Sequence, residues 1–300
     1  MLKIERELAS QPLIWPQAGG VGAQSVDELP EQGQRVAIVG CGTSYFVGQA
    51  MASLREAAGH GETDAFAASE APVGRAYDAV VALSRSGTTT EVLSALERVP
   101  GDVITIAISA ASDSPIAAAA RRVVTLAFAD EESVVQTRFP TAALALWRAH
   151  LGEEIEPLSV DAEEALRAPL PDLEMFDHYV FLGAGWGVGI ANEAALKLTE
   201  AAGVWTESHP VMEYRHGPIG AVTPRTLVWA VGPVDEAVLG DAVEAGATVI
   251  DSRRDPMVEL IVIQRAAVAL AKARGLDPDE PRNLTRSVVL QAAPQAIGET

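Results

Sequence analysis

The chain has 300 residues, of which 48% are hydrophobic, and it carries 41 acidic against 22 basic side chains, for a formal net charge of −19. This composition argues against disorder, because it supplies enough apolar surface for one large core or two domains of ordinary size. The acidic balance opposes binding to nucleic acid and to anionic membrane surfaces, so any phosphorylated ligand must be held by local groups.

The single cysteine, Cys41, excludes an internal disulfide, and with five scattered histidines it matches no zinc-site spacing. The first residues, MLKIERE, are too charged for a signal peptide, and the apolar runs elsewhere are shorter than a membrane span. We therefore expect a cytoplasmic protein that uses neither a metal nor another cofactor.

Short β-branched runs alternate with Ala- and Leu-rich stretches, which is typical of βαβ units around a parallel sheet. In the first half the predicted strands are residues 35–39, 78–83, 103–108 and 122–126. In the second half they are residues 179–182, 227–231, 247–250 and 260–263. Between the halves, residues 152–171 are acidic and punctuated by prolines, and we predict a helix-containing connector at a domain boundary.

An internal repeat supports this division into halves. Residues 36–42, VAIVGCG, lead into a predicted helix that ends at Ala57-Ala58-Gly59, and residues 179–185, YVFLGAG, lead into one that ends at Ala201-Ala202-Gly203. We interpret these as two copies of one strand, glycine turn and helix. A chance likeness between Ala-rich helices that end in glycine stays open as the alternative.

The first candidate site is the turn at Gly40, Gly42 and Tyr45, where a strand is expected to lead into a helix. Glycine lets the backbone approach a ligand, and free helix N–H groups with the Thr43 and Ser44 hydroxyls can hold an anion. The spacing lacks the third glycine of a dinucleotide fingerprint. A simple helix N-cap without a ligand is the alternative.

The second candidate is residues 84–90, SRSGTTT, which we call the hydroxyl loop. It follows another apolar strand, places five hydroxyl side chains around Gly87 and lacks the Gly-Lys-Ser/Thr sequence of a Walker A loop. Amide and hydroxyl donors in this arrangement suit a phosphate monoester. The alternative is a polar surface loop in which one or two hydroxyls cap a helix.

The third candidate is a helix in which Glu193, Lys197 and Glu200 are spaced by four and three residues and so share one face. Its Ala and Leu residues are typical of a buried helix, where charged groups are costly unless they serve a function. An exposed Glu–Lys pair is the alternative. Further along, His216 precedes Gly-Pro and can transfer protons near neutral pH, although loop histidines are often merely exposed.

Together these motifs resemble the sugar-isomerase (SIS) domains of glucosamine-6-phosphate synthase. The resemblance includes Cys41-Gly42-Thr43-Ser44, the hydroxyl loop, residues 193–200, residues 213–218 and residues 277–284, and it extends from about Glu5 to Ser287. The form Tyr-Arg-His-Gly-Pro is closer to stand-alone amino-sugar phosphate deaminase and isomerase relatives. The synthase's glutaminase domain has no counterpart here, so we expect no glutamine-dependent delivery of ammonia.

The resemblance implies an α/β protein with two SIS domains, each a flavodoxin-like αβα sandwich around a parallel sheet. They would occupy residues 1–151 and 172–284, with a tail at 285–300 that contributes to the active site. The implied activity is a phosphosugar isomerase or deaminase acting on an amino- or keto-hexose 6-phosphate by proton transfer between C1 and C2. A homodimer with a shared active site between the halves is expected.

The resemblance also implies roles for individual residues. Glu200 would move the proton with Lys197 beside it, Glu193 would bind the sugar or its amino group, and His216 of the neighbouring subunit would assist ring opening. The remaining expected contacts to the sugar phosphate are Cys41, Gly42, Thr43, Ser44, Ser84, Arg85, Ser86 and Thr89, with Thr137 as a further one.

The segment after Pro281-Arg282-Asn283-Leu284 departs from the family. The synthases carry a lysine there that attacks the keto sugar as a Schiff base, whereas this chain has Arg286. Arginine stays protonated and cannot act as that amine, but it can attract a carbonyl oxygen or phosphate. Lys197 is the first alternative amine, since burial would lower its pKa. Proton shuttling by Glu200 does not require an imine.

Two other classes of function remain as alternatives. A non-catalytic sugar-phosphate sensor fits the same binding motifs, but this chain has no basic helix-turn-helix and its charge opposes DNA. A dinucleotide-dependent oxidoreductase fits less well, because the glycine fingerprint is broken and no acidic residue stands in a convincing ribose position.

Overall fold

The structure is a computed structural model that describes residues 1–290. Its α-helices are α1 Lys3–Ala9, α2 Gln11–Gln24, α3 Thr43–Ala57, α4 Thr90–Glu97, α5 Pro115–Ala119, α6 Arg138–His150, α7 Glu156–Ala165, α8 Gly187–Ala202, α9 Glu236–Glu244 and α10 Pro256–Ala273. Its strands are β1 Val36–Gly40, β2 Thr63–Ala67, β3 Ala79–Leu83, β4 Ile104–Ser109, β5 Arg122–Thr125, β6 His178–Gly183, β7 Thr206–Pro210, β8 Thr226–Val231 and β9 Thr248–Ile250.

The described strands form two sheets in which every neighbouring pair is parallel. The first has the order β2-β1-β3-β4-β5, which is the flavodoxin-like order, and the second has the order β7-β6-β8-β9. The predicted α/β class with two parallel sheets is therefore confirmed. In each sheet the strand order reverses next to the central strand, β1 or β6. Ligands of such folds bind outside the carboxyl ends of the strands at this switch point.

One predicted strand is wrong and two strands were not predicted. Residues 260–263, Leu-Ile-Val-Ile, lie inside helix α10 and are buried on all sides. A short, fully apolar run has no periodicity that distinguishes a buried strand from a buried helix. The strands β2, TDAFA, and β7, TESHP, were missed because they lack a run of β-branched apolar residues and are mostly only partly buried.

The two halves share the same local connection of strand, glycine turn and helix, but the internal sequence repeat stays a prediction. In each half a central strand, β1 or β6, passes through a glycine turn into a long helix, α3 or α8. The order of the first four strands is also the same in both sheets. Connectivity of this kind is common to many α/β folds, so it does not by itself establish a repeated sequence.

The halves are joined by a close crossing of α3 and α8. A methyl group at Gly189 would lie 2.6 Å from the backbone nitrogen of Ala50, so only glycine permits this approach. Further along, Asn192 Nδ2 donates to Gln49 Oε1 at 2.7 Å, and Lys197 Nζ donates to Thr43 Oγ1 at 2.9 Å. The two helices are therefore antiparallel, and the C-terminal part of α8 lies beside the glycine turn that starts α3.

The predicted connector contains a helix, α7, which packs against α2 and α10. One hydrophobic core runs through both halves and includes apolar residues of both sheets and of α3, α6, α8 and α10. The domain limits at residues 151, 172 and 284 stay predictions. The predicted tail is described as far as Leu290, and residues 291–300 lie outside the described part of the chain. Among residues 1–290, no helix is both long and apolar enough to cross a membrane.

Candidate functional site

A cavity of ≈ 240 Å³ lies at the carboxyl ends of β1 and β3, where sequence analysis placed the first two candidate motifs. The glycine turn, the hydroxyl loop, the loop before α6, the end of α8 and the C-terminal segment all contribute to its wall. Predicted site residues that line it are Cys41, Gly42, Thr43, Ser44, Ser84, Arg85, Ser86, Thr89, Glu200 and Arg286.

The glycine turn directs the start of α3 at this cavity. Gly42 has φ +52°, a left-handed conformation that favours glycine, and α3 begins at the next residue. Thr43 and Ser44 in the first turn line the cavity and no side chain caps the helix, so its positive end faces the cavity. Burial raises the pKa of the Cys41 thiol, and the nearby Glu91 carboxylate adds to this effect. Cys41 is therefore a poor nucleophile, and it can contribute to ligand packing as a neutral thiol.

The hydroxyl loop is folded on itself around Gly87, which has φ +66°. Ser84 Oγ accepts from the Gly87 amide at 3.2 Å and lies 3.2 Å from Thr89 Oγ1. Ser86 Oγ accepts from the Thr88 amide at 3.3 Å and from its hydroxyl at 3.1 Å. The hydroxyls thus converge on a small volume at the N-terminus of α4, as a phosphate-binding loop requires.

The C-terminal segment lies across the hydroxyl loop. Ser287 Oγ is 2.7 Å from Thr88 Oγ1 and 3.1 Å from Ser86 Oγ. The Leu290 amide donates to Thr90 Oγ1 at 2.9 Å. The tail therefore forms one wall of the cavity, and the Ser287 hydroxyl bonds to the same side chains that are expected to contact a phosphate.

Arg85 is only 2% exposed and ties three segments together. Its Nη1 donates to the carbonyl of Ser133 at 3.0 Å, and its Nη2 donates to the carbonyl of Arg286 at 2.6 Å. Nε has no hydrogen-bond partner among residues 1–290. Burial lowers the pKa of Arg85, and the carboxylate of Glu131 opposes this, so the guanidinium stays charged beside the hydroxyl loop.

Arg286 lines the cavity but most of its guanidinium is bound elsewhere. Nε donates to the carbonyl of Glu131 at 2.9 Å, and Nη2 pairs with Asp130 Oδ1 at 2.7 Å. These contacts hold the tail against the loop that precedes α6. Only Nη1 and the second N–H of Nη2 are left to attract a ligand. Arg286 therefore attaches the tail to the loop, and it is less free to turn toward a ligand than the sequence suggested.

The predicted charged face of α8 is present, and it lies behind the cavity wall. Lys197 is 1% exposed, donates to Thr43 Oγ1 at 2.9 Å, pairs with Glu200 and lies 3.4 Å from Glu193 Oε1. Of these three charged residues, Glu200 lines the cavity, and its side chain is 20% exposed. Lys197 therefore orients a carboxylate that a ligand can reach.

The expectation that burial lowers the pKa of Lys197 is wrong. Desolvation does act in that direction, but the carboxylates of Glu193 and Glu200 outweigh it, and the pKa of Lys197 is raised. The amine is therefore protonated and is not a nucleophile. Within the described residues the site has no lysine that replaces the one lost at Arg286, because none lines the cavity.

Glu193 is fully buried and does not line the cavity, which corrects the expectation that it binds the sugar directly. Burial raises its pKa to about 8, an effect that the Lys197 ammonium only partly offsets. Neither carboxyl oxygen accepts a hydrogen bond from residues 1–290. Its neighbours place it behind Lys197, so it can act on a ligand only through that side chain.

Two further predicted residues lie away from the cavity. The Thr137 hydroxyl donates to Glu131 Oε1 at 2.9 Å, at the start of α6, and is buried. It supports the loop and does not face a ligand. His216 is exposed at the end of a short 3₁₀ helix, Val211–His216, and does not line the cavity of its own chain. Its assignment to a neighbouring subunit's site stays a prediction.

Sequence analysis missed two acceptors that line the cavity, Glu91 and Gln136. Glu91 Oε2 and Gln136 Oε1 are both buried, and neither has a hydrogen-bond partner among residues 1–290. Both residues adjoin motifs that the sequence did indicate, since Glu91 follows the hydroxyl loop directly and Gln136 precedes Thr137. They were overlooked because neither residue type is distinctive in a loop. A ligand with hydroxyl or ammonium donors can satisfy both acceptors.

The part of the chain that the structure describes holds no convergent group of three His, Cys, Asp or Glu side chains suited to a metal ion. The cavity is instead built from hydroxyls, amides, two arginines and two carboxylates. Its donors lie around the hydroxyl loop, and its acceptors are Glu91, Gln136 and Glu200. The arrangement can bind an anion at one place and transfer a proton at another.

Comparison with known proteins identifies related sequences. A family model for the SIS domain matches residues 29–149. The chain is 28% identical to glutamine–fructose-6-phosphate aminotransferase (isomerizing) of Gloeobacter violaceus over 317 residues, which cover 86% of this chain and 52% of that protein. The protein of the same name from Aeropyrum pernix is 29% identical over 326 residues, with 86% and 51% coverage. The chain thus spans about half the length of the curated relatives it matches.

Solved structures share the fold along nearly the whole chain. Glucosamine-6-phosphate deaminase from Thermotoga maritima has a TM-score of 0.81 at 24% identity and covers 96% of this chain and 100% of its own. Tagatose-6-phosphate ketose/aldose isomerase from Escherichia coli has a TM-score of 0.78 at 18% identity, with 96% of both chains covered. Residues 29–149 thus match the SIS domain family, the chain is similar in sequence to about half of glutamine–fructose-6-phosphate aminotransferase (isomerizing), and it shares the fold of these solved structures.

Proposed function

We propose that this protein is a phosphosugar isomerase or deaminase that acts on an amino- or keto-hexose 6-phosphate. The observation that carries the proposal is the pairing, in one cavity, of a hydroxyl loop suited to phosphate with a carboxylate, Glu200, held by a buried ammonium. Binding alone would need the first feature. A base placed at a distance from the phosphate is the additional feature that proton transfer requires.

The residues supply a route for the reaction. The hydroxyl loop, the Ser44 hydroxyl and Arg85 would hold the phosphate, which leaves the opened sugar chain extended toward Glu200. Glu200 would remove the proton from C2 of an aldose and return it to C1, through an enediol for a neutral sugar or an enolamine for an amino sugar. With an amino sugar the product is a C2 imine, which water hydrolyses to the ketose and ammonia. No step forms a bond between the sugar and the protein.

The ammonium of Lys197 has a supporting part in this route. It holds Glu200 through an ion pair and Thr43 through a hydrogen bond, so the base cannot rotate away from the substrate. The raised pKa of Lys197 keeps it charged in every step.

We also propose a homodimer in which His216 completes the site of the other subunit and assists ring opening. The exposure of His216 and its distance from the cavity wall of its own chain support this arrangement. Mixing Glu200→Gln and His216→Ala chains under conditions that exchange subunits tests it. Partial recovery of activity is expected, and no recovery in demonstrated heterodimers would contradict a shared site.

A thermal-shift screen tests the proposed function, because a ligand that binds only the native state raises the melting temperature. Glucosamine 6-phosphate, fructose 6-phosphate and glucose 6-phosphate are compared with the same sugars without phosphate. We expect stabilisation by phosphorylated sugars only, followed by turnover of at least one of them. Stabilisation without turnover would favour the non-catalytic sugar-phosphate sensor, and no stabilisation would contradict both functions.

A further inference from the structure

The N-terminal helix α1 lies outside the cavity, yet one of its side chains organises the loop that forms the cavity wall. Glu7, at 4% exposure, accepts hydrogen bonds through Oε1 from the amides of Glu132 at 2.5 Å and Ser133 at 3.4 Å. Its second oxygen is bound by the Ser133 hydroxyl. One buried carboxylate thus fixes two successive residues of the loop before α6.

The loop transmits this contact to the site. The carbonyl of Ser133 accepts from Arg85 Nη1, and Arg85 Nη2 reaches the carbonyl of Arg286 in the tail. The residue after Ser133, Val134, lines the cavity. A continuous chain of hydrogen bonds therefore runs from Glu7 through Ser133 to the buried guanidinium and the tail.

A second attachment holds α1 to the same region. The amides of Lys3 and Ile4, at the start of α1, both donate to the Asp279 carboxylate at 2.8 Å. The carbonyl of Asp279 in turn accepts from the Val134 amide at 3.3 Å. Since carboxylates are favourable at a helix N-terminus, this contact fixes the position of α1 relative to the loop.

Charge adds to this geometry. Arg85 is bound by carbonyl oxygens, and no carboxylate is hydrogen-bonded to it among the described residues. Burial lowers its pKa, and the negative charges of Glu131, Asp130 and Glu7 act in the opposite direction. Glu7 therefore helps to keep a buried cation charged, in addition to holding the carbonyl that the cation contacts.

We infer that Glu7 is a positioning residue for sugar-phosphate binding, which acts through Ser133 on Arg85 and on the tail. This inference rests on the proposed function of the cavity. Glu7 does not touch the ligand, and its loss weakens binding because the guanidinium and the cavity wall lose their fixed geometry. A residue of the N-terminal helix thus sets the affinity of a site to which it does not belong.

The test compares three variants by calorimetric titration with the sugar phosphate that binds the wild type. Glu7→Ala removes both the charge and the hydrogen bonds and is expected to weaken binding by about tenfold or more. Glu7→Gln keeps one acceptor and should fall between Ala and the wild type. Glu5→Gln is the matched control, since Glu5 lies on the same helix but bonds to Lys272 and the Leu2 amide. It should bind as the wild type does.

Urea unfolding separates positioning from simple loss of stability. Glu5→Gln and Glu7→Gln are both expected to destabilise the fold slightly, but only Glu7→Gln should alter the dissociation constant. Wild-type affinity in Glu7→Gln and in folded Glu7→Ala would overturn the inference. If Glu7→Ala does not fold, Ser133→Ala replaces it. This variant removes the hydroxyl contacts to Glu7 and to the carbonyl of Val135 but keeps both amide contacts to Glu7, and it should weaken binding by a smaller factor.

Hydrogen–deuterium exchange provides a readout that needs no ligand. Glu7→Gln should lose protection in residues 131–137 and 285–288, while Glu5→Gln keeps it. Unchanged protection in both segments would overturn the inference even if the cavity binds something other than a sugar phosphate. If the wild type binds no sugar phosphate but Glu7→Gln loses this protection, the proposed function fails and the link from α1 to the cavity remains.

Discussion

The carboxyl ends of the two sheets differ although the chain reaches them in the same way. At the first sheet, β3 leads into the hydroxyl loop and the cavity remains open. At the second sheet, β8 leads into Gly232-Pro233-Val234-Asp235, which has no hydroxyl side chain. A methyl group at Gly232 would lie 2.6 Å from Cγ of Pro256, so the start of α10 already occupies this space.

The carboxyl end of the second sheet is closed by an ion pair as well as by packing. Arg148 is 6% exposed and binds Asp255, the residue that caps α10, through two contacts of 2.9 Å. Its guanidinium also lies 5.0 Å from the ring centre of Trp186 in the second glycine turn. The comparison teaches that strand order alone does not make a binding site. The residues that follow the strands decide which end binds a ligand and which end stabilises the fold.

Substituting Glu200, the proposed base at the carboxyl end of the first sheet, should have the largest effect on proton transfer. Glu200→Gln keeps the size and polarity of the side chain but cannot accept the proton, so exchange of the C2 hydrogen with solvent should fall by about 10²- to 10⁴-fold. Loss of a C2 deuterium from the substrate, followed by mass spectrometry, measures this. Binding should persist. Exchange at the wild-type rate would show that another group is the base.

Substituting Arg148 in the ion pair at the carboxyl end of the second sheet should change the stability of the fold without changing the affinity for a ligand. Arg148→Met leaves the partly buried Asp255 without its cation, and we expect the free energy of unfolding to fall by about 2 kcal/mol. Glu153 is more exposed, so water can replace its contact with Arg148. Urea denaturation measures the loss. Calorimetry on the folded variant should give the wild-type affinity, and a large loss of affinity would mean that the two ends are coupled.

Substitutions in the hydroxyl loop should reduce ligand affinity more than stability. Replacing Ser84 and Ser86 together with Ala removes hydroxyls from the first end, and the affinity for a sugar phosphate should fall by more than about tenfold, or roughly 1.4 kcal/mol. The fold should remain intact, with a moderate fall in melting temperature because the Gly87 and Thr88 amides lose their acceptors. The control is Ser112→Ala, which removes an exposed hydroxyl after β4. Unchanged affinity in the double variant would remove this loop from the site.

A pH-dependent effect on stability is expected from the Glu193 carboxyl. Because the pKa of Glu193 is raised to about 8, the folded chain keeps a proton that the unfolded chain releases above its usual value of 4.5. This group therefore lowers the free energy of unfolding as pH rises from 4.5 to about 8.

Glu193→Gln should remove that decline, because a glutamine amide has no proton to release in this pH range. Urea unfolding at several pH values across this window, with wild type alongside, measures the change. A profile with the wild-type slope would show that Glu193 is ionised in the folded chain.

No covalent adduct is expected when borohydride is added together with a keto-sugar phosphate. Arg286 cannot form an imine, and the raised pKa of Lys197 keeps its amine protonated. Mass spectrometry of digested protein should therefore find no adduct on either residue. A substrate-dependent mass increase on a lysine would contradict the non-covalent route, and its position would identify the amine.

The sequence allowed prediction of those parts of the fold and site that depend on local pattern. Apolar strands such as β1, β3 and β4 stand out because their β-branched residues are buried on both faces. The run at 260–263 has the same composition, and only the cap at Asp255, whose side chain accepts from the Met257 amide, indicates a helix.

The rest of the site depends on contacts between distant segments. The hydroxyl loop was evident from its composition, but its contacts with Ser287 join residues about two hundred positions apart. The pKa of Lys197 could not be predicted from burial, because its sign depends on how closely two carboxylates approach the amine. The position of Glu193 behind Lys197 likewise follows from how α8 rotates against α3.

The antiparallel crossing of α3 and α8 has a consequence for the size of the substrate. In the proposed reaction the first half supplies most groups around the phosphate and the second half supplies the base, so the helix pair sets the distance between them. Lys197 lies eight residues from the glycine contact at Gly189, a length of about 12 Å along a helix. Under the proposed function, the crossing of the two helices therefore limits the length of the sugar phosphate that fits the cavity.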